Sequence, residues 1–87
     1  MNINIVDLKK KIIYRSTYRG TKEMDSLLTS FTKKYVNTFN NKELIYLYKL
    51  LDIDDDNLYK FNQNKTIQIK IENNKVTELF KNFKLKD

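Results

Sequence analysis

The sequence has 87 residues and a formal net charge of +6, with 40% hydrophobic and 13% aromatic residues, which predicts one folded domain over residues 1–87 rather than a disordered tail. It contains no cysteine and no histidine. Disulfides, thiolate zinc sites, nucleophilic thiols and imidazole proton shuttles are therefore excluded, and we predict neither catalytic residues nor a metal site.

The first predicted helix runs from Ile5 to Arg19. Its apolar residues recur with helical spacing, and they are Ile5, Leu8, Ile12 and Ile13. Gly20, the only glycine of the chain, follows directly. We expect it to close the helix with a positive φ. In that arrangement Arg15 and Arg19 project from the same face at the end of the helix.

The second predicted helix starts after Thr21, which can cap it. It carries the clearest apolar stripe in the chain, formed by Met24, Leu27, Leu28, Phe31 and Tyr35. Glu23 and Asp25 occupy its first turn, where the helix dipole favours acids. We also expect Asp25 to bond back to Arg15 or Arg19 and to orient the guanidinium.

Three shorter helices follow in the prediction. Asn40 or Asn41 caps the third and Asp54 caps the fourth. Their apolar residues and those of the fifth helix are Leu44, Leu47, Tyr48, Leu51, Leu58, Tyr59, Phe61, Val76, Leu79, Phe80 and Phe83. The predicted fold is all-α, a small compact bundle of about five short helices.

Residues 66–71 alternate with a period of two and are rich in isoleucine, as in a β-strand. The sequence offers no second strand for them to pair with. We therefore expect either an extended segment or the distorted start of the last helix.

Ten side chains are predicted to be largely buried. They are Met24, Leu27, Leu28, Phe31, Leu44, Leu47, Tyr48, Leu51, Leu58 and Phe80. Each lies on an apolar stripe of a predicted helix, so together they should form a single core.

Both arginines lie beside the only glycine, in Arg15-Ser16-Thr17-Tyr18-Arg19-Gly20, whereas the other fifteen basic residues are lysines. A guanidinium grips a carboxylate or phosphate with two parallel hydrogen bonds, which an ammonium cannot do. The plainer interpretation is that both cations complement the negative end of a helix, but lysine would serve equally well there. The candidate functional site is therefore placed here.

Two sequence patterns together resemble a known family. Arg19-Gly20-Thr21-Lys22-Glu23 reads R-G-x-x-E and precedes Asp25, and an acidic step at Asp52–Asp56 leads to Leu58-Tyr59-Lys60-Phe61. The chain resembles, over roughly residues 10–65, the succinate dehydrogenase assembly factor family. These small flavinator proteins assist covalent FAD attachment to the flavoprotein subunit of succinate dehydrogenase and of its fumarate reductase relatives.

The resemblance implies a non-enzymatic assembly factor that binds this flavoprotein subunit and stabilises its flavinylation-competent conformation. FAD is then the cofactor of the client, and we expect none to be bound tightly here, since a dinucleotide fingerprint needs three glycines. The expected partner-binding residues are Arg15, Tyr18, Arg19, Gly20, Glu23, Asp25, Tyr59 and Phe61. Tyr18 stands where the family commonly has a second basic residue, and Phe61 where it has tryptophan.

If Arg19 and Glu23 serve a partner rather than the fold, their replacement should leave the melting temperature nearly unchanged. A small basic nucleic-acid-binding domain and a generic protein-interaction module stay open as alternatives. Against the first, most lysines are spread singly along the chain.

The segment Asp52–Asn57 begins like a calcium loop. It lacks the glycine at position 6 and has Gln63 where a closing glutamate belongs. The acids are better explained as the cap and dipole complement of the fourth helix, with the remainder in solvent.

No apolar run approaches the ~20 residues that a membrane-spanning helix needs. The first residues also lack the pattern of a signal peptide. We therefore expect a complete cytoplasmic protein that starts at its own methionine, does not insert into a membrane and is a monomer when free.

Overall fold

The computed structural model describes residues 4–85, which form five α-helices and no β-strand. The helices are α1 (Ile5–Ser16), α2 (Lys22–Tyr35), α3 (Asn41–Leu51), α4 (Asp55–Asn62) and α5 (Lys75–Asn82). The predicted all-α bundle is confirmed for this part of the chain. Within the same range, no helix combines the length and the apolar character needed to cross a membrane.

Each helix begins at a polar side chain that accepts a hydrogen bond from a backbone N–H of its first turn. The capping residues are Asn4, Thr21, Asn40, Asp54 and Asn74. In α3 and α5 the cap is reciprocal, because Glu43 and Thr77 bond back to the cap residue. The predicted caps at Thr21 and Asp54 are confirmed, and Asn40 rather than Asn41 caps α3.

The core lies between all five helices. Phe31 is fully buried at its centre, with the rings of Tyr35, Phe80 and Phe83 at 5.0, 5.3 and 5.4 Å from its own. All predicted core residues are buried except Tyr48, which is only partly so. The ring of Tyr48 instead carries the guanidinium of Arg15, 4.7 Å from its centroid.

The first helix ends earlier than predicted. α1 stops at Ser16, and Thr17 is extended, with φ −108° and ψ 169°. The hydroxyls of Ser16 and Thr17 donate to the carbonyl oxygens of Ile13 and Tyr14, at 2.8 and 3.0 Å. Such local bonds compete with continued helix. The predicted helix through Arg19 is therefore wrong, and the two arginines do not share a helical face.

The left-handed residue of the α1–α2 loop (residues 17–21) is also not the one predicted. Tyr18 has a φ of 56°, whereas Gly20 does not have a positive φ. The turn comes where the helix has just been ended by Ser16 and Thr17, two residues before the glycine. The predicted left-handed cap at Gly20 is wrong.

Residues 66–71 form neither strand nor helix, which excludes an early start of α5, and the chain bends at residues 68–69, so the predicted extended segment is not continuous. The end of α4 is joined to α5 by the buried amide of Asn62. Its Nδ2 donates to the carbonyl oxygens of Phe80 and Phe83, both at 2.8 Å. The carbonyl oxygen of Phe80 also accepts from the N–H of Phe83, at 3.1 Å, so the Asn62 amide adds a second donor there and supplies one to Phe83, just beyond the end of α5.

Candidate functional site

Arg19 is anchored inside the fold, and its side chain is only 13% exposed. Its Nε donates to Oδ1 of Asp55 at 2.8 Å. Its Nη1 donates to the carbonyl oxygens of Arg15 and Leu51, and its Nη2 to that of Ile53, each at 3.0 Å. Four of the five N–H donors of a guanidinium are thereby used. Arg19 thus joins the end of α1, the end of α3 and the approach to α4.

Asp55 completes this arrangement at the first position of α4. Its Oδ2 accepts a hydrogen bond from the backbone N–H of Gly20 at 2.7 Å. A Cβ atom at Gly20 would lie 3.0 Å from the same oxygen. Since Arg19 holds the other oxygen, the carboxylate has little freedom to withdraw. The close approach of Asp55 therefore favours glycine at this position, and we call Arg19, Gly20 and Asp55 the Arg19 clamp.

Arg15 lies at the end of α1 and is much more open, with 38% of its side chain exposed. Its Nη1 donates to Oδ1 of Asp52 at 2.6 Å, and its guanidinium lies over the ring of Tyr48. The hydrogen bond to Asp52 raises the pKa of Arg15 above its usual range. The side chain of Tyr48 contributes to the same rise in pKa, so Arg15 interacts with two side chains and keeps its other donors available to a partner.

The acidic partners of the two arginines are Asp52 and Asp55, and the predicted bond from Asp25 is wrong. Asp25 instead lies 3.4 Å from the hydroxyl of Thr29 on the next turn of α2. Its position at the start of α2 turns it toward its own helix rather than toward either arginine.

The acids at Asp52–Asp56 have three different roles. Asp54 caps α4 as predicted, and its pKa is lowered by hydrogen bonds from the side chain and backbone of Asn57. Asp56 pairs with Lys60 one turn later, at 3.0 Å. The expectation that the acids other than the cap are solvated fails for Asp55, whose side chain is 24% exposed and held by the Arg19 clamp.

Two tyrosines project from the end of α1 and the loop. Tyr14 and Tyr18 are 70% and 86% exposed, and their ring centroids are 6.0 Å apart at an interplanar angle of 53°. They border a shallow depression whose lining residues are Tyr14, Arg15, Thr17, Tyr18, Arg19, Gly20 and Asp55. The structure therefore brings four of the predicted site residues, Arg15 to Gly20, to one place.

A second depression lies on the other side of Gly20. It is lined by Gly20, Thr21, Glu23, Met24, Asp55, Asp56 and Tyr59. Glu23 is exposed and its carboxylate has no hydrogen bond or ion pair within residues 4–85. Glu23 and Tyr59 thus share one surface with Gly20.

Asp25 and Phe61 line neither depression. Phe61 is partly buried and stacks on Phe80, with ring centroids 6.4 Å apart and an interplanar angle of 14°. Lys81 of α5 covers it, with Nζ 5.9 Å from the ring centroid. The structure therefore gives Phe61 a packing role against α5.

Sequence reasoning missed Asp52 and Asp55 as partners of the arginines. The only signal was numerical, since four acids fall within Asp52–Asp56 and a helix cap needs one. Which acid meets which arginine depends on how the α3–α4 corner packs on the α1–α2 loop.

Over residues 10–84 the chain matches the family described as the flavinator of succinate dehydrogenase. The chain belongs to this family. The resemblance predicted from the two motifs is confirmed, and the match continues beyond residue 65, through α5.

Individual relatives carry corresponding names. Succinate dehydrogenase assembly factor 2, mitochondrial, of Debaryomyces hansenii is 40% identical over 55 residues, 62% of this chain and 39% of the relative. The protein of the same name from Scheffersomyces stipitis is 43% identical over 51 residues, 59% of this chain and 34% of the relative. FAD assembly factor SdhE of Wigglesworthia glossinidia brevipalpis is 39% identical over 51 residues, 59% of this chain and 61% of the relative.

The chain thus spans between about a third and three-fifths of the length of the relatives it matches. No solved structure matches it.

Proposed function

We propose that this chain is a non-enzymatic assembly factor that binds the flavoprotein subunit of succinate dehydrogenase or fumarate reductase and promotes covalent attachment of FAD to it. Membership of the flavinator family supports the reaction and the client. One structural observation supports the way in which the chain would bind this client. The Arg19 clamp fixes the motif loop on the α3–α4 corner, and Arg15 and Glu23 remain available on the surface around it.

Such a factor acts by positioning. Holding a client histidine and the flavin in a near-attack arrangement lowers the barrier without any bond being made by the factor. Selective binding to a closed conformation of the client has the same effect by shifting its population. FAD is the client's cofactor in this proposal, and the chain holds none tightly itself.

The rigidity of the loop favours this role. Flexible loops lose conformational entropy when they bind, which reduces affinity. Here the hydrogen bonds of Arg19 and of the Gly20 N–H have already fixed the loop in the free protein. The binding free energy can then be used to select one conformation of the client.

We further propose that the protein meets its client in the cytoplasm and is a monomer when free. The FAD assembly factor of Wigglesworthia supports a bacterial setting, although the yeast relatives are mitochondrial by name.

The test is to produce the client flavoprotein with and without this chain and to measure covalent flavin by the fluorescence of the denatured client. Covalent flavin should rise when the chain is present. Glu23→Gln should lower that gain, because the exposed carboxylate of Glu23 engages nothing within residues 4–85 and is free for a partner.

Glu78→Gln is the matched control, since Glu78 is also an exposed acid in the first turn of a helix, but in α5. The increase in covalent flavin with Glu78→Gln should equal that with the unaltered chain. Equal covalent flavin with and without the chain would overturn the proposed function.

A further inference from the structure

Tyr18 combines two features that require an explanation. Its backbone is left-handed, with a φ of 56°, and its side chain is 86% exposed. Left-handed backbone is unfavourable for residues other than glycine, asparagine and aspartate. The other left-handed residue among residues 4–85 is Asn64, which tolerates this conformation. The ring of Tyr18 makes one aromatic contact within residues 4–85, with the exposed ring of Tyr14, and buries little surface in return for the strain.

The neighbours of Tyr18 on both sides are fixed. The N–H and hydroxyl of Thr17 donate to the carbonyl oxygen of Tyr14, at 3.2 and 3.0 Å. On the other side, Arg19 is held by the Arg19 clamp and the N–H of Gly20 by Asp55. The chain must turn between these two anchors, and Tyr18 is the residue that turns. The clamp therefore holds the ring of Tyr18 outward.

The surface around Tyr18 is aromatic and basic. The ring of Tyr14 lies 6.0 Å away, and the half-exposed guanidinium of Arg15 borders the same depression. Lys10 and Lys11 are exposed one turn earlier on α1, four residues before Tyr14 and Arg15. We call Lys10, Lys11, Tyr14, Arg15 and Tyr18 the tyrosine surface.

We propose that the tyrosine surface is a second contact with the client, beside Glu23, and that it takes a protein segment with an apolar or flat side chain next to a carboxylate. The two rings cover the apolar group, and Arg15 with its neighbouring lysines binds the carboxylate. Arg19 and Gly20 are positioning residues, which act through Tyr18. This inference rests on the proposed function and names the part of the surface that the client touches.

Charge favours a single carboxylate over a polyanion. Arg15 is already paired with Asp52 at 2.6 Å, and Asp55 lines the same depression. These two carboxylates already occupy part of the guanidinium groups of Arg15 and Arg19, which leaves fewer donors than a continuous run of phosphates needs. One acidic side chain can still bind the donors of Arg15 that Asp52 leaves available. A single-stranded nucleic acid, whose bases also stack on aromatic rings, is therefore the competing outcome of the test.

The experiment compares Tyr18→Gly with Tyr18→Phe in the full chain, and measures both the melting temperature and the affinity for the purified client flavoprotein by titration calorimetry. Glycine adopts a positive φ without strain. Tyr18→Gly should therefore raise the melting temperature by a few degrees and weaken client binding by at least about tenfold. Tyr18→Phe should keep the affinity within about threefold, because it preserves the ring.

Asn64→Gly is the matched control, because it changes the other left-handed residue and should leave the affinity unchanged. If Tyr18→Gly binds the client as tightly as the unaltered chain does, this inference fails and the proposed function stands. If the unaltered chain does not bind the client at all, both fail. If the unaltered chain binds a labelled single-stranded oligonucleotide and Tyr18→Gly does not, the ligand of the tyrosine surface is a nucleic acid and the proposed client segment is wrong.

Discussion

The two arginines of the motif region lie four residues apart and have different surroundings. Arg19 uses four N–H groups within the fold and is 13% exposed, whereas Arg15 makes one hydrogen bond to a carboxylate and is 38% exposed. Arg19 is needed to shape the loop, and Arg15 is available at the surface beside it. The R-G-x-x-E motif, which we propose for partner binding, therefore contains an arginine that holds the backbone of its own loop in place.

The sharpest test of this difference is to replace each arginine in turn. Arg19→Ala removes the side-chain donor to Oδ1 of Asp55 and to three carbonyl oxygens. We expect a loss of about 2–4 kcal/mol in the free energy of unfolding, measured by urea denaturation. Arg15→Ala should change it by about 0–1 kcal/mol, as for exposed ion pairs.

The expectation from the sequence that replacing Arg19 leaves the melting temperature nearly unchanged does not fit this geometry, because Arg19 is held inside the fold. A lysine ammonium cannot reach the same set of acceptors as a planar fork. Arg19→Lys should therefore also destabilise the protein. Equal stability of the Arg15 and Arg19 variants would remove the distinction between them.

The second test concerns the close approach at Gly20. A methyl group at this position would lie 3.0 Å from Oδ2 of Asp55, which must move against the pull of Arg19. Gly20→Ala should cost about 1–2 kcal/mol by the same measurement. In a chain that already carries Asp55→Ala, Gly20→Ala should lower the free energy of unfolding by much less than it does in the unaltered chain, because the crowded carboxylate is absent. A full added cost in the double variant would mean that the glycine is required for another reason.

The smallest effect is expected from pH, through one acid at the start of α3 and one at the start of α4. The pKa values of Asp54 and Glu43 are lowered, chiefly by the side chain of Asn57 and by the backbone of Asn40. A carboxyl group whose pKa is lowered in the folded state makes its full contribution to stability above its unfolded pKa. This contribution is lost as the pH falls through the folded value.

The melting temperature should therefore be independent of pH near neutrality and should fall below about pH 4 to 5. Asp54→Asn keeps a good helix cap without a titrating group, so its melting temperature should fall less steeply with acid. Arg15→Ala removes a charge nearby without touching either cap and should leave the acid slope unchanged. An identical slope for Asp54→Asn and the unaltered chain would exclude Asp54 as a source of the acid sensitivity.

The parts of the fold that depend on neighbours in sequence were predictable. The stripe from Met24 to Phe31 and the caps at Thr21 and Asp54 rest on residues three or four apart, and the structure confirms them. The end of α1 was predictable in principle, because Ser16 and Thr17 are residues whose hydroxyls bond to the preceding turn.

The candidate site was predictable only in its location. Its geometry depends on pairs that are distant in the chain, such as Arg19 with Ile53 and Gly20 with Asp55. Helical periodicity carries no information about such pairs. Gly20 is an example. Its position next to Arg19 indicated the location of the site, but the carboxylate that approaches it belongs to Asp55 of α4, which the sequence pattern does not indicate.

The hydrogen bond between Gly20 and Asp55 spans 35 positions of the chain and therefore bears on the order in which parts of the chain fold. The backbone hydrogen bonds within α1 and α2 are local, but the loop between these helices acquires its bond to Asp55 only when the first turn of α4 docks. The exposed ring of Tyr18 is thus a late product of folding. A fragment ending before Asp55 would contain the whole R-G-x-x-E motif and would still be unable to display it.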